Sequence, residues 1–183
     1  MLVLPGYTAA DRSTQALRRY LKQLGYDARG WGLGRNNGNV AAYVPRVAEI
    51  VCELNKASDK KVSLIGWSMG GIFAREIAKI DPRVISQVIT MGSPFSGGKT
   101  QKTNVGSLYR LLNGDRINAT HDSRANYLPK APPVPTTAIY SKTDGVVNWQ
   151  YCIEYDDVDH IESIEVKGSH LGFGMNSMVW TIL

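Results

Sequence analysis

Short hydrophobic runs alternate with amphipathic stretches along this chain. Six runs have the length and composition of buried strands: residues 1–4, 26–31, 62–65, 84–91, 136–140 and 161–166. Apolar residues at helical spacing predict helices near 11–24, 41–57 and 71–81. Strands that alternate with helices build βαβ units. The pattern therefore predicts an α/β fold, a three-layer sandwich around a twisted, mostly or wholly parallel sheet of about six strands.

Polar and breaker residues indicate where these helices begin and end. Asp11 or Ser13 is expected to cap the first helix through its side-chain oxygen. Pro45 is expected in the first turn of the second helix, or at a kink in it, because proline has no N–H to donate. A short terminal helix, capped by Asn176 or Ser177, is expected after the last strand.

Two stretches lack a helix or strand period. Residues 30–38 are rich in glycine and asparagine and are expected to form a loop. From residue 96 to 135 the alternation of strands and helices stops, apart from an amphipathic helix expected over 105–112. That helix either packs on the sheet or faces a substrate as a lid, and the sequence leaves both open. Residues 1–183 are interpreted as one domain that carries 96–135 as a short insertion.

Composition narrows the class of protein. The chain has 183 residues, 43% of them hydrophobic and 20% charged, which is ordinary for a globular domain. The net charge of +5 comes from scattered lysines and arginines, so nucleic-acid binding is not favoured. The sequence has neither a leader-like start nor an apolar run long enough for stable membrane insertion. We therefore expect a cytoplasmic protein, or a secreted one if a leader was removed.

The two cysteines, Cys52 and Cys152, are far apart in the sequence. Neither takes part in a Cys/His spacing typical of metal sites, so no metal is expected. Two free thiols are the simpler interpretation, although a single disulfide is compatible with the sequence. Cys52 falls on the second predicted helix and is expected in the core.

The chemistry centres on the segment Gly66-Trp67-Ser68-Met69-Gly70. It lies between a predicted strand and a predicted helix and matches the pattern G-x-S-x-G. In such a sharp turn the serine hydroxyl stands clear of the sheet, and a side chain at either glycine would collide with a neighbouring element. The alternative is an ordinary strand-to-helix turn in which Ser68 caps the helix.

Two further polar residues follow predicted strands. Asp144 comes after the strand over 136–140, and His170 comes after the last strand. Since the carboxyl ends of parallel strands meet at one edge of the sheet, Ser68, Asp144 and His170 are expected to lie together there. Their order along the chain, serine, acid and histidine, is that of the α/β-hydrolase triad.

The other histidines and acids are poorer candidates. His160 precedes the last strand and is expected at the opposite edge of the sheet, and His121 lies in the irregular stretch. The acidic run Asp156, Asp157 and Asp159 accompanies His160 and is interpreted as a solvated loop, with a divalent-metal site as the alternative.

The chain resembles small serine hydrolases of the α/β-hydrolase fold, similar to compact bacterial lipases and esterases. The resemblance is carried by residues 5–7, 66–71, 91–94, 141–147 and 168–170. It implies a minimal version of the fold with a reduced cap over 96–135, no cofactor, and an oxyanion hole built from the backbone N–H groups of Met69 and Tyr7. The family's usual His-Gly is replaced here by Pro5-Gly6.

The resemblance implies a carboxylic ester hydrolase that acts on small-molecule or lipid esters through an acyl-enzyme on Ser68. Its alternatives are a thioesterase or acyltransferase with the same triad, and a non-catalytic binding protein of the same fold. A monomer or weak oligomer is expected. The side chains expected to contact substrate flank the triad in the sequence: Thr8, Phe95, Val146, Val147, Trp149 and Leu171.

Overall fold

A parallel six-stranded sheet forms the centre of the protein, in a computed structural model that describes residues 1–96, 129–156 and 158–183. The strands are β1 (Leu2–Leu4), β2 (Arg29–Gly30), β3 (Val62–Trp67), β4 (Ile85–Met91), β5 (Thr136–Tyr140) and β6 (Ile161–Glu165). They lie in the order β2-β1-β3-β4-β5-β6, and every neighbouring pair is parallel. The predicted α/β fold with a wholly parallel sheet is confirmed.

Helices cover both faces of this sheet. Within the described ranges the α-helices are α1 (Gln15–Gln23), α2 (Val40–Ser58), α3 (Met69–Ile80) and α4 (Ser177–Ile182). Leu64 of β3 packs with α2 and α3 in one hydrophobic cluster, while the next residue, Ile65, packs with α1 and α4 in another. Successive strand residues point to opposite faces, so a strand buried on both faces must be apolar throughout. This arrangement confirms the three predicted layers.

β2 is shorter than the predicted strand over 26–31. The Asp11 carboxylate accepts hydrogen bonds from the backbone N–H groups of Trp31 (2.9 Å) and Gly32 (3.0 Å). These bonds turn the chain away from β1 directly after Gly30. The prediction that Asp11 or Ser13 caps α1 is therefore wrong. The Asp11 carboxylate binds Trp31 N and Gly32 N instead, and the Ser13 hydroxyl donates to Ala10 O.

Two helix boundaries also follow from side-chain caps. Asn39 caps α2 by accepting from Ala42 N at 3.1 Å, so the helix begins at Val40 and Pro45 is its sixth residue. Pro45 is therefore one turn further into α2 than the predicted first-turn position. At the other end of the chain, Asn176 caps α4 by accepting from Met178 N at 2.9 Å, as predicted.

The predicted insertion over 96–135 lies mostly outside the described residues, which end at 96 and resume at 129. The helix predicted over 105–112, and its role as lid or packing helix, stay predictions. At the near end, Ser96 N donates to Tyr151 O at 3.0 Å. At the far end, Val134 is buried in the cluster formed with α2 and α3. No helix among the described residues has the length and apolarity to cross a membrane.

Candidate active site

Ser68 stands on a strained turn between β3 and α3. Its backbone angles are φ 53° and ψ −120°, a region that residues with a side chain rarely adopt. The turn is fixed because Ser68 N donates to Met91 O, at the end of β4, at 2.8 Å. Ser68 immediately precedes the first turn of α3, whose unpaired N–H groups and positive dipole end favour an anion.

The glycines around Ser68 allow this turn to pack tightly. A Cβ on Gly66 would collide with the backbone of Gly71, and one on Gly70 would collide with the carbonyl group of Leu4. The absence of side chains therefore lets β3, α3 and the end of β1 meet directly behind the serine.

Asp144 and His170 form a buried pair after β5 and β6. His170 Nδ1 and Asp144 Oδ2 are 2.7 Å apart, and both side chains are almost fully buried. The other carboxyl oxygen, Oδ1, accepts from Val146 N at 2.9 Å and from Val147 N at 2.6 Å. Because a carboxylate only accepts hydrogen bonds, this geometry assigns the proton to Nδ1 and leaves the lone pair of Nε2 available as a base.

The His170 backbone is held on two sides. His170 N donates to Asp144 O at 2.9 Å, and the indole N–H of Trp67 donates to His170 O at 3.1 Å. Trp67 is the residue before Ser68, so this bond joins the end of β3 to the loop after β6. Sequence reasoning missed this role, since its only signal is an indole donor at a variable position of the motif.

A buried hydroxyl links the aspartate loop to the histidine loop. Ser141 Oγ donates to Gly168 O at 2.7 Å and accepts from Thr143 N at 3.1 Å. Ser141 begins the turn that carries Asp144, and Gly168 lies two residues before His170. Sequence reasoning missed this contact as well, because a serine in a turn normally indicates only local hydrogen bonding.

The carboxyl end of β4 brings the serine and the Asp–His pair together. Gly92 follows Met91, the acceptor for Ser68 N, and has φ 54°. A Cβ on Gly92 would lie 3.1 Å from Asp144 Oδ2 and 3.2 Å from His170 Nδ1. The three predicted triad residues therefore share one edge of the sheet. Ser68 Oγ has no hydrogen-bond partner among the described residues.

The two predicted oxyanion donors flank Ser68. Met69 N is the first N–H of α3 and has no partner within the helix. Tyr7 lies in the loop after β1, and a Cβ on the preceding Gly6 would lie 3.3 Å from Ser68 Cβ. That close approach puts the Tyr7 loop directly against the serine.

The six predicted substrate-contacting side chains differ in exposure. Val146 and Leu171 are largely exposed, at 70% and 76%, and Thr8 is also exposed. Val147 and Trp149 are half-buried. Phe95 is fully buried, and the guanidinium carbon of Arg75 lies 3.6 Å from its ring centroid.

The remaining predicted features are the other two histidines and the two cysteines. His160 is at the amino end of β6, as predicted, with Nε2 3.2 Å from Pro132 O; His121 lies outside the described residues. Both thiols are free, and Cys52 is half-buried rather than in the core. Burial, and to a lesser extent the negative charge of Asp144, raise the pKa of the Cys152 thiol.

Comparison with known proteins identifies the fold. A family model described as PGAP1-like alpha/beta domain matches residues 33–181. A lipase-esterase related protein from Clostridium acetobutylicum has a TM-score of 0.70 at 19% identity, covering 99% of this chain and 91% of that one. Aspergillus fumigatus lipase B gives 0.71 at 21% identity, covering 98% of this chain and 50% of that one. A structure described with the metagenome-derived lipolytic enzymes LipS and LipT gives 0.72 at 15%, covering 99% and 89%. These likenesses confirm the predicted α/β-hydrolase fold.

Proposed function

Because this chain belongs to the PGAP1-like alpha/beta domain family, and because Ser68, Asp144 and His170 share one edge of its sheet, we propose that it is a serine ester hydrolase. The observation that supports this most strongly is the 2.7 Å contact between Asp144 and His170 beside a serine with φ 53°. A buried Asp–His pair next to a strained serine is an arrangement that serine-dependent nucleophilic acyl transfer uses.

In the proposed reaction, Ser68 Oγ attacks the carbonyl carbon of an ester while His170 Nε2 takes the hydroxyl proton. The tetrahedral intermediate collapses, and the same proton passes from Nε2 to the leaving alcohol. Water then attacks the acyl-enzyme, again with His170 as base, and releases the acid and free Ser68. Asp144 keeps the imidazole oriented and stabilises its protonated form.

The negative oxygen of each tetrahedral intermediate is held by the backbone N–H groups of Met69 and Tyr7 in this proposal. Met69 N belongs to the first turn of α3, where the helix dipole adds to the hydrogen bond. The loss of one such donor in other enzymes lowers kcat by a factor of about 10²–10³.

The substrate is proposed to be a carboxylic ester with an apolar acyl group. Exposed apolar side chains follow both members of the Asp–His pair in the sequence, namely Val146 and Leu171. Contact with an acyl chain would remove their surface from water, which is favourable by about 25 cal/mol for each Å² buried.

The proposal is tested by hydrolysis of p-nitrophenyl esters from acetate to palmitate, with Ser68→Ala as the inactive variant. We expect activity in the wild type that falls by several orders of magnitude in Ser68→Ala. Ser58→Ala, at the exposed end of α2, is the matched control and should retain full activity. Equal rates in the wild type and Ser68→Ala would refute ester hydrolysis by this site.

The fold does not decide which acyl compound is attacked. Acyl-thioesters matched in chain length to the oxyesters separate the alternatives, since a thioesterase would prefer the thioester in kcat/KM. An acyltransferase would transfer the acyl group to an added alcohol in preference to water.

A further inference from the structure

Asn36 is a fully buried polar residue in the loop between β2 and α2. Its side-chain Nδ2 donates to Pro5 O at 2.9 Å, and its Oδ1 accepts from Gly38 N at 2.9 Å. Its backbone O accepts from Thr8 N at 2.7 Å, and its backbone N donates to Ala9 O at 2.8 Å. One residue thus uses both its main chain and its side chain in hydrogen bonds.

Three of these four bonds go to the loop that follows β1, and they surround Tyr7. The acceptor Pro5 O lies before Tyr7, and the two backbone partners, Thr8 and Ala9, lie after it. The backbone N–H of Tyr7 itself donates to no described residue. Asn36 therefore holds both flanks of Tyr7 and leaves its N–H group available.

The held loop is conformationally strained. Thr8 has φ 60°, a left-handed conformation that is unfavourable for a residue with a branched side chain. Such a residue keeps this conformation only where surrounding contacts impose it, and the 2.7 Å bond from Thr8 N to Asn36 O is one such contact.

The loop that carries Asn36 is itself anchored. Trp31 Nε1 donates to Gly34 O at 2.9 Å, and Tyr43 Oη of α2 donates to Arg35 O at 3.2 Å. The Asp11 carboxylate holds the start of the same loop, as described above. The glycine-rich stretch 30–38 is thus a fixed support and not a loose connection.

We propose that Asn36 is a positioning residue that fixes the Tyr7 N–H as an oxyanion donor beside Ser68, an inference that rests on the proposed function. The support is directional, because a single amide must donate to Pro5 O and accept from Gly38 N at once. Alanine loses both side-chain bonds, whereas aspartate keeps the acceptor and loses the bond to Pro5 O.

The test compares p-nitrophenyl esters with their thiono analogues, in which sulfur replaces the carbonyl oxygen. Sulfur is a weaker acceptor than oxygen, so the ratio of kcat/KM for oxo and thiono substrates reports how well the oxyanion is bound. In Asn36→Ala we expect kcat for the oxyester to fall about tenfold to hundredfold with KM within about twofold, since one donor is misplaced. The oxo-to-thiono ratio should fall by a similar factor.

Two variants make the result decisive. Asn36→Asp has nearly the same volume as the wild type and should also lower the oxo-to-thiono ratio. It serves as the test if Asn36→Ala does not fold. Asn39→Ala is the matched control, because Asn39 lies three residues later and its side chain only caps α2. That variant should lower the midpoint of thermal unfolding, because α2 loses its cap, and it should leave the oxo-to-thiono ratio unchanged.

Each outcome has one meaning. A lowered ratio in Asn36→Ala or Asn36→Asp, with an unchanged ratio in Asn39→Ala, supports the positioning role. An unchanged ratio in folded Asn36 variants overturns the positioning role, even where kcat falls. In that case the proposed function still stands if hydrolysis is lost in Ser68→Ala. If the wild type and Ser68→Ala hydrolyse the oxyester equally, the proposed function fails and this inference fails with it.

Discussion

At the scale of single residues, the candidate site depends on hydrogen bonds in which the chemical type of the residue decides which group donates and which accepts. Asp144 uses one carboxyl oxygen for His170 and the other for two backbone N–H groups. Rotation of the carboxyl group is therefore restricted, and the imidazole can present Nε2 in only one direction. An amide in place of the carboxylate would offer His170 an N–H group or a weaker acceptor.

We expect Asp144→Asn to lower kcat by a factor of about 10³–10⁴ while KM changes little, because the imidazole loses the tautomer needed for proton transfer. Steady-state kinetics on a p-nitrophenyl ester measures both constants. Asp159→Asn is the matched control, since Asp159 lies at the amino end of β6. A loss of less than tenfold in Asp144→Asn would show that another acid serves His170.

The two thiols should react at different rates. Cys152 is 2% exposed, and burial raises its pKa, so its reactive thiolate form is scarce at neutral pH. Cys52 is half-buried on α2. We expect a disulfide reagent such as DTNB to label Cys52 at least about tenfold faster than Cys152 in the native protein, and both at similar rates in urea. Peptide mapping after brief labelling checks this, and equal native rates would contradict the burial of Cys152.

At the scale of elements, α3 does more than present Ser68. Arg75, the seventh residue of α3, is buried and forms an ion pair with Glu154. Its guanidinium also donates to Lys130 O at 3.1 Å. Burial lowers the pKa of Arg75, and the charge of Glu154 opposes that shift. Arg75 thus connects α3 to Phe95, just before the predicted insertion, and to Lys130, near its far end.

We expect Arg75→Met to lower the free energy of unfolding by about 3–5 kcal/mol, because it leaves the buried Glu154 carboxylate without a partner. The double variant Arg75→Met/Glu154→Leu should recover part of that loss, since it buries no unpaired charge. Urea unfolding followed by circular dichroism measures each value. Arg83→Met, which removes an exposed pair with Asp81, is the control and should change stability little. A double variant as unstable as Arg75→Met would contradict the ion-pair explanation.

The elements that could be predicted from sequence are those set by local pattern. The strand over Thr136–Tyr140 and the cap at Asn176 follow from residues that lie side by side in the chain. β2 could not be bounded in the same way, because its end is imposed by Asp11, a residue about twenty positions earlier. A hydrogen bond between a side chain and a distant segment produces no periodic pattern in the sequence. The sequence pattern therefore could not predict it.

The same distinction separates the parts of the candidate site. Ser68 is set by its motif, and Asp144 and His170 by their positions after strands. Asn36 and Trp67 act through partners more than thirty and about a hundred residues away in sequence. Their types, an amide in a glycine-rich loop and a tryptophan inside a motif, are equally compatible with roles in solvation or packing.

At the scale of the whole molecule, a parallel sheet converts sequence order into spatial proximity. β3, β4, β5 and β6 are neighbours in the sheet, and each ends at the same edge. The residues just after these strands must therefore lie together, although they are spread from Ser68 to His170. The PGAP1-like family match and the solved structures establish this fold. Whether the residues at this edge of the sheet transfer an acyl group is the claim of the proposed function.

The most direct test is mass spectrometry of the protein after reaction with a fluorophosphonate that bears a short alkyl chain. We expect one adduct per chain, mapped to the peptide that contains Ser68, absent in Ser68→Ala and formed far more slowly in His170→Ala, because the serine needs its base. An adduct on a different residue, or none on a protein shown to be folded by circular dichroism, would contradict the assignment of Ser68 as the nucleophile.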